Sequence, residues 1–177
     1  MMNRIGLIPI TAALTLIVGC SRSCDLRIES QGQSHARVRT YGDLRDLATA
    51  LESYTAGLPT SQSANRVPIG HMDLNATPLF HMLSEEPVGA PSYLESTTSY
   101  HRWVNRGSLV DSWDSPLNHH CKRLKELKER GGKLIVIRIT FWSNGPNRRN
   151  DGQHGDDIVG QPFEITLPEE LVPADCQ

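Results

Sequence analysis

The residues best suited to chemistry lie in one polar stretch, residues 143–158, which reads SNGPNRRNDGQHGDDI. It combines carboxylate and amide side chains with glycines, and it has too few apolar residues to be ordered by hydrophobic packing. Such a loop suits calcium, which takes about six to eight oxygen ligands at about 2.3–2.6 Å. Glycines let backbone carbonyls turn toward the ion. The stretch therefore predicts a calcium site, with a polar hairpin loop that holds no ion as the alternative.

The predicted site is irregular and is not an EF-hand. An EF-hand loop places ligands at alternate positions, with a glycine at the sixth and a glutamate at the twelfth. No register of residues 143–158 supplies both. The ligands must therefore come from an arrangement that the loop builds for itself.

The signals of other site chemistries are weak or missing. In the run His119-His120-Cys121, neighbours on a strand face opposite ways, so only His119 and Cys121 would share a side. No second pair follows at zinc spacing. Gly-x-Ser-x-Gly, His-Glu-x-x-His, Cys-x-x-Cys and phosphate-loop motifs are also missing. The sequence predicts a protein that is not an enzyme and has no small-molecule substrate, with a hydrolase or zinc enzyme as the less favoured alternative.

The N-terminal residues 1–19 predict an export signal, because Arg4 precedes an apolar run too short to span a bilayer. The run ends in Ile-Val-Gly-Cys20, which resembles the lipobox of bacterial lipoproteins. That resemblance implies acylation of Cys20 (palmitate-type chains) and attachment to a membrane of the cell envelope on its periplasmic face. Ser21 after the cysteine resembles the pattern of outer-membrane lipoproteins. A plain signal peptide with an unmodified Cys20 is the alternative.

The elements that must position the loop follow from periodicity. Residues 20–39 are polar and without period, which predicts a tether. Thr40-x-x-Asp43 predicts a capping box that starts a helix, and apolar residues from Leu44 to Tyr54 recur at helical spacing. Gly57 predicts its end. A second, short helix is predicted over residues 78–83.

Strands are predicted on both sides of the loop. Residues 133–142 alternate so that Ile135, Ile137, Ile139 and Phe141 share one face, which predicts a core-facing strand. Residues 163–167 alternate in the same way and form the last strand. Residues 122–130 predict either a solvated helix or a hairpin extension. The predicted fold is an α+β domain over residues 40–177: a helix packed on a small antiparallel sheet whose last two strands are joined by the polar loop.

Charge and cysteine content restrict the partners and the compartment. The net charge is −2 and no basic run is long enough for a nucleic-acid surface. An export signal implies an oxidising compartment in which Cys24, Cys121 and Cys176 can pair. We favour Cys121 with Cys176, because each is predicted near the end of a strand, although the sequence alone leaves the other pairings open.

Two motifs resemble the major pseudopilin of type II secretion systems. Ser143-x-Gly-Pro-Asn followed by Gly-Asp-Asp-Ile is similar to the calcium loop of that family, and Asp111-x-Trp-x-x-Pro is similar to its turn into the first strand. In such a turn the aspartate accepts a hydrogen bond from the backbone two residues on. The pattern Leu-x-x-Ala-Leu-x-x-Tyr over residues 47–54 is similar to the end of the family's long helix.

The resemblance implies a ligand set. It places Asn147 at the first acidic position and Asp156 and Asp157 at the paired positions, with backbone carbonyls near Asn144 and Val159 completing the shell. An amide oxygen carries no charge, and calcium affinity depends on the charge of its ligands. The resemblance therefore implies weaker calcium binding here than in a relative with aspartate in place of Asn147.

The resemblance also implies a role. We expect a lipid-anchored envelope protein with a structural or interaction role in protein secretion, whose partners are the membrane and secretion-system proteins. The family's long apolar filament helix has no counterpart after Gly6, so filament assembly is not implied. The alternative is a calcium-stabilised binding module unrelated to secretion.

Overall fold

The computed structural model describes residues 11–57, 72–85, 92–95, 97–129 and 132–176. Contacts divide the chain into two compact units, Met1–His35 and Ala36–Gln177. Three α-helices are described, α1 (Thr11–Ala56), α2 (Ala76–Ser84) and α3 (Tyr100–Arg106), and a short 3-10 helix covers Glu169–Leu171. None of the helices in these ranges contains a stretch long and apolar enough to cross a membrane. The first ten residues of the predicted export signal lie outside the described residues.

Helix α1 differs from the prediction at its start. It is continuous through residues 21–39, where a tether was expected, and Thr40 and Asp43 lie inside it and do not cap it. The hydroxyl of Thr40 instead donates to the Ser112 hydroxyl, 3.0 Å away, and accepts from the Ser112 amide at 3.3 Å. The predicted helix start was wrong because two buried polar side chains that serve tertiary contacts have the spacing of a capping box.

Asp43 is the second of these side chains, and it joins α1 to α3. Its carboxylate is fully buried and accepts hydrogen bonds from Ser99 and from the Arg102 guanidinium. Burial raises the pKa of Asp43, because desolvation disfavours the charged carboxylate more than Ser99 and Arg102 favour it. Arg102 also donates to the carbonyl of Val110 at 3.3 Å, so the pair holds α3 against the turn that precedes the sheet.

The apolar face of α1 is as predicted. Leu47 and Leu51 have no exposed surface, and α1 ends at Ala56 immediately before Gly57. Helix α2 is confirmed near its predicted position and buries Leu79 and Leu83.

Helix α3 was not predicted. It is a short segment around the fully buried Trp103. The segment has no repeating apolar pattern from which a helix could be predicted.

The sheet is antiparallel and is built around one central strand. The four strands are β1 (Asn118–Glu129), β2 (Gly132–Ser143), β3 (Ile158–Val159) and β4 (Phe163–Pro168). Strand β2 pairs with β1 along one edge and with β3 and β4 along the other. Strand β1 forms the hairpin extension that was one of two alternatives for residues 122–130. The α+β fold is confirmed, and the core face of β2 is buried as predicted.

The C-terminal segment is fastened to β1. A disulfide joins Cys121 to Cys176 with a Cα–Cα distance of 4.7 Å, and this is the pairing favoured from the sequence. Next to it, the Nε2 atom of His119 lies 2.5 Å from a carboxylate oxygen of Asp175. Cys121 therefore has no free thiolate for zinc, and His119 is occupied by a structural contact.

Candidate functional site

The polar loop leaves and re-enters the sheet at one place. Ser143, at the end of β2, pairs directly with Ile158 at the start of β3, and Trp142 pairs with Val159. Residues 144–157 thus form a closed loop on an antiparallel base. The rigid sheet fixes both ends of the loop, so the geometry within it depends on its own turns.

Repeated left-handed turns fold the loop back on itself. Gly145, Gly152 and Gly155 have φ angles of 63°, 68° and 63°, and Arg148 and Gln153 have φ angles of 57° and 70°. Residues other than glycine rarely adopt this left-handed backbone conformation, because it costs them roughly 1–2 kcal/mol per residue. The turns bring together carboxylates that are separated along the chain.

Three carboxylates meet inside the loop. One oxygen from each of Asp151, Asp156 and Asp157 lies within 4.8 Å of the others. The Oδ2 atom of Asp157 accepts from the backbone amides of Asp151 and Gln153 at 3.2 and 2.9 Å. Its Oδ1 atom is buried and has no hydrogen-bond donor among the described residues. A buried oxygen without a donor beside two further carboxylates fits a hard divalent cation such as calcium.

Asn147 reaches the same cluster with its amino group. Its Nδ2 atom donates to Asp151 at 2.9 Å and to Asp156, while its Oδ1 atom accepts from the Arg149 amide at 2.6 Å. The side-chain oxygen that the resemblance implies as a ligand thus faces the backbone. To coordinate calcium, the amide would have to turn over and give up its contact with Arg149. In the arrangement observed, Asn147 offsets part of the carboxylate charge with hydrogen bonds.

A chain of amides fastens the loop to the sheet. Asn144 accepts through Oδ1 from Asn118 at 2.7 Å, and Asn118 accepts from Asn150 at 3.4 Å. The Oδ1 atom of Asn150 in turn accepts from the indole of Trp142 at 3.2 Å. These hydrogen bonds hold the part of the loop around Asn144 and Asn150 against the sheet without an ion. The sequence analysis did not predict them.

The predicted side-chain ligands meet in one place, since Asp156 and Asp157 lie in the cluster and Asn147 touches it. The Asn144 side chain faces Asn118, and Val159 pairs with Trp142. That the backbone carbonyls near Asn144 and Val159 complete the shell stays a prediction. Asp151 is the third member of the cluster and was not among the predicted ligands. Its signal in the sequence is the Asp-Gly pair in the middle of the loop, where a left-handed glycine returns the chain toward Asp156 and Asp157.

The arrangement brings three carboxylates close enough together to hold a divalent cation. Comparison with protein-family models, with curated proteins and with solved structures finds no match to this chain.

Proposed function

We propose that this chain is a non-enzymatic, lipid-anchored protein of the cell envelope whose loop at residues 143–158 binds calcium as a structural ion. The observation that carries the calcium site is the buried Oδ1 atom of Asp157, which lacks a donor beside the carboxylates of Asp151 and Asp156. The pseudopilin-like motifs support a structural or interaction role in type II secretion. Attachment through Cys20 would place the domain on the periplasmic face of a membrane, most favourably the outer membrane.

Calcium would stabilise the loop by supplying positive charge. Asp151, Asp156 and Asp157 would hold the ion, which would offset their mutual repulsion and satisfy the Asp157 oxygen. Because the carboxylates come together only in the folded protein, ion binding adds directly to the free energy of unfolding. We expect a dissociation constant of about 10⁻⁴–10⁻³ M, the range of extracellular calcium modules.

The calcium site predicts a melting temperature that depends on the ion. Calcium at several millimolar should raise the melting temperature of the wild type above its value in chelator, and Asp157→Ala should abolish the rise because it removes both a ligand and the acceptor of two loop amides. Glu170→Ala, which removes an exposed carboxylate in the turn after β4, should leave the rise unchanged. Equal melting of the wild type with calcium and with chelator would refute the site.

Asn147→Asp supplies the opposite control in the same measurement. A carboxylate at this position adds charge to the cluster and removes the amino group that bridges Asp151 and Asp156. The variant should melt lower than the wild type in chelator and show a larger rise with calcium. An unchanged rise would show that residue 147 does not face the ion.

The role in secretion is tested separately. The full chain, purified from envelope membranes with its native lipid, should retain secretion-system proteins after crosslinking, and a Cys20→Ala variant should retain fewer because it is not anchored. Retention of none by the lipidated chain would leave the calcium module and refute the secretion role.

A further inference from the structure

Asp111 is a buried carboxylate outside the proposed ion site. It has no exposed surface. Its Oδ1 atom accepts from the backbone amides of Trp113 and Ser115 at 2.8 and 2.9 Å, which confirms the turn predicted from the sequence. Its Oδ2 atom accepts from the hydroxyl of Ser143 at 2.6 Å. A buried carboxylate is costly unless hydrogen bonds compensate it, and the bonds that compensate Asp111 join the turn to the end of β2.

Ser143 links Asp111 to the loop through hydrogen bonds. It is the last residue of β2 and is also fully buried. A hydroxyl has a single proton, and that proton is directed to Asp111, so a lone pair of Oγ accepts from the backbone amide of Gly145 at 3.0 Å. The carboxylate of Asp111 thus fixes the direction in which Ser143 can accept, and with it the position of Gly145.

Gly145 in turn lies against Asp156. A Cβ atom added to Gly145 would lie 2.2 Å from the carbonyl oxygen of Asp156 and 3.3 Å from its Oδ2 atom. The backbone of Gly145 therefore packs so closely against Asp156 that no side chain fits between them, and a displacement of Gly145 toward Asp156 would push on its carbonyl. The buried turn, the end of β2 and one carboxylate of the cluster are therefore connected by three consecutive contacts.

We propose that Asp111 and Ser143 are positioning residues for the ion loop, which hold Gly145, and through it Asp156, in place before the ion binds. This inference rests on the calcium site proposed above. A site assembled before binding spends less of its binding free energy on ordering the loop. Groups that orient the ligands of a metal without touching it typically change its affinity by about 10–100-fold.

Calcium titration calorimetry on the full chain tests this role. Ser143→Ala should weaken calcium binding by about tenfold or more, and Ser143→Thr, which keeps the hydroxyl, should restore most of the affinity. Ser112→Ala is the matched control. It removes a serine hydroxyl from the same turn, but the partner of that hydroxyl is Thr40 on α1, so it should bind calcium as the wild type does.

The outcomes separate the two proposals. Wild-type affinity in both Ser143→Ala and Asp111→Asn would overturn the positioning role and leave the calcium site standing, even if both variants melt at lower temperature. Should Ser143→Ala not fold, Asp111→Asn decides alone, because it keeps an acceptor for the two turn amides. A wild type that binds no calcium would refute the site and the positioning role together.

Discussion

Gly145→Ala is expected to destabilise the domain by about 3 kcal/mol, from left-handed strain of about 1–2 kcal/mol and a steric overlap of similar size. Gly145 has a φ angle of 63°, which residues other than glycine rarely adopt. The Cβ atom of an alanine at this position would lie 2.2 Å from the carbonyl oxygen of Asp156. That oxygen belongs to the backbone, so no flexible side chain can move aside to relieve the overlap. Urea unfolding monitored by tryptophan fluorescence measures the loss.

Gly152→Ala separates the two contributions. Gly152 has a similar φ angle of 68°, but a Cβ atom there would meet nothing within 4 Å. The control should therefore lose only the conformational part, about 1–2 kcal/mol. If both variants lose the same free energy of unfolding, the close approach of Gly145 to Asp156 is not what makes glycine necessary at position 145.

Opening the Cys121–Cys176 disulfide is expected to cost about 4 kcal/mol of stability, the loop-closure entropy of a crosslink over this length of chain. The two cysteines are 55 residues apart in sequence. The crosslink therefore restricts much of the unfolded domain. Urea unfolding with and without reductant measures the difference in midpoint.

The Cys121→Ala/Cys176→Ala double variant is the control, because reductant should not change its midpoint. The variant should unfold near the midpoint of the reduced wild type. If reductant leaves the wild-type midpoint where it was, the crosslink does not stabilise the domain. Cys24→Ala should keep the full response to reductant, since Cys24 is not part of the bond.

The sequence by itself determined the helices and strands whose apolar residues recur at a regular spacing. The alternation along β2 and the spacing of leucines in α1 are properties of neighbouring residues, and burial follows wherever one face is apolar. The oxygen-rich loop was also visible, because its composition excludes hydrophobic packing. The residue composition of the loop indicated a cation site, and the structure adds Asp151 to the residues that would hold a cation.

Only the tertiary structure decided which partner each polar group takes. Thr40 and Asp43 resemble a helix start, yet their partners Ser112 and Arg102 lie 72 and 59 residues away along the chain. The orientation of Asn147 likewise depends on turns that bring Asp151 and Asp156 to it. A side chain's type determines how many hydrogen bonds it can make, whereas the identity of its partner depends on where the folded backbone places distant residues.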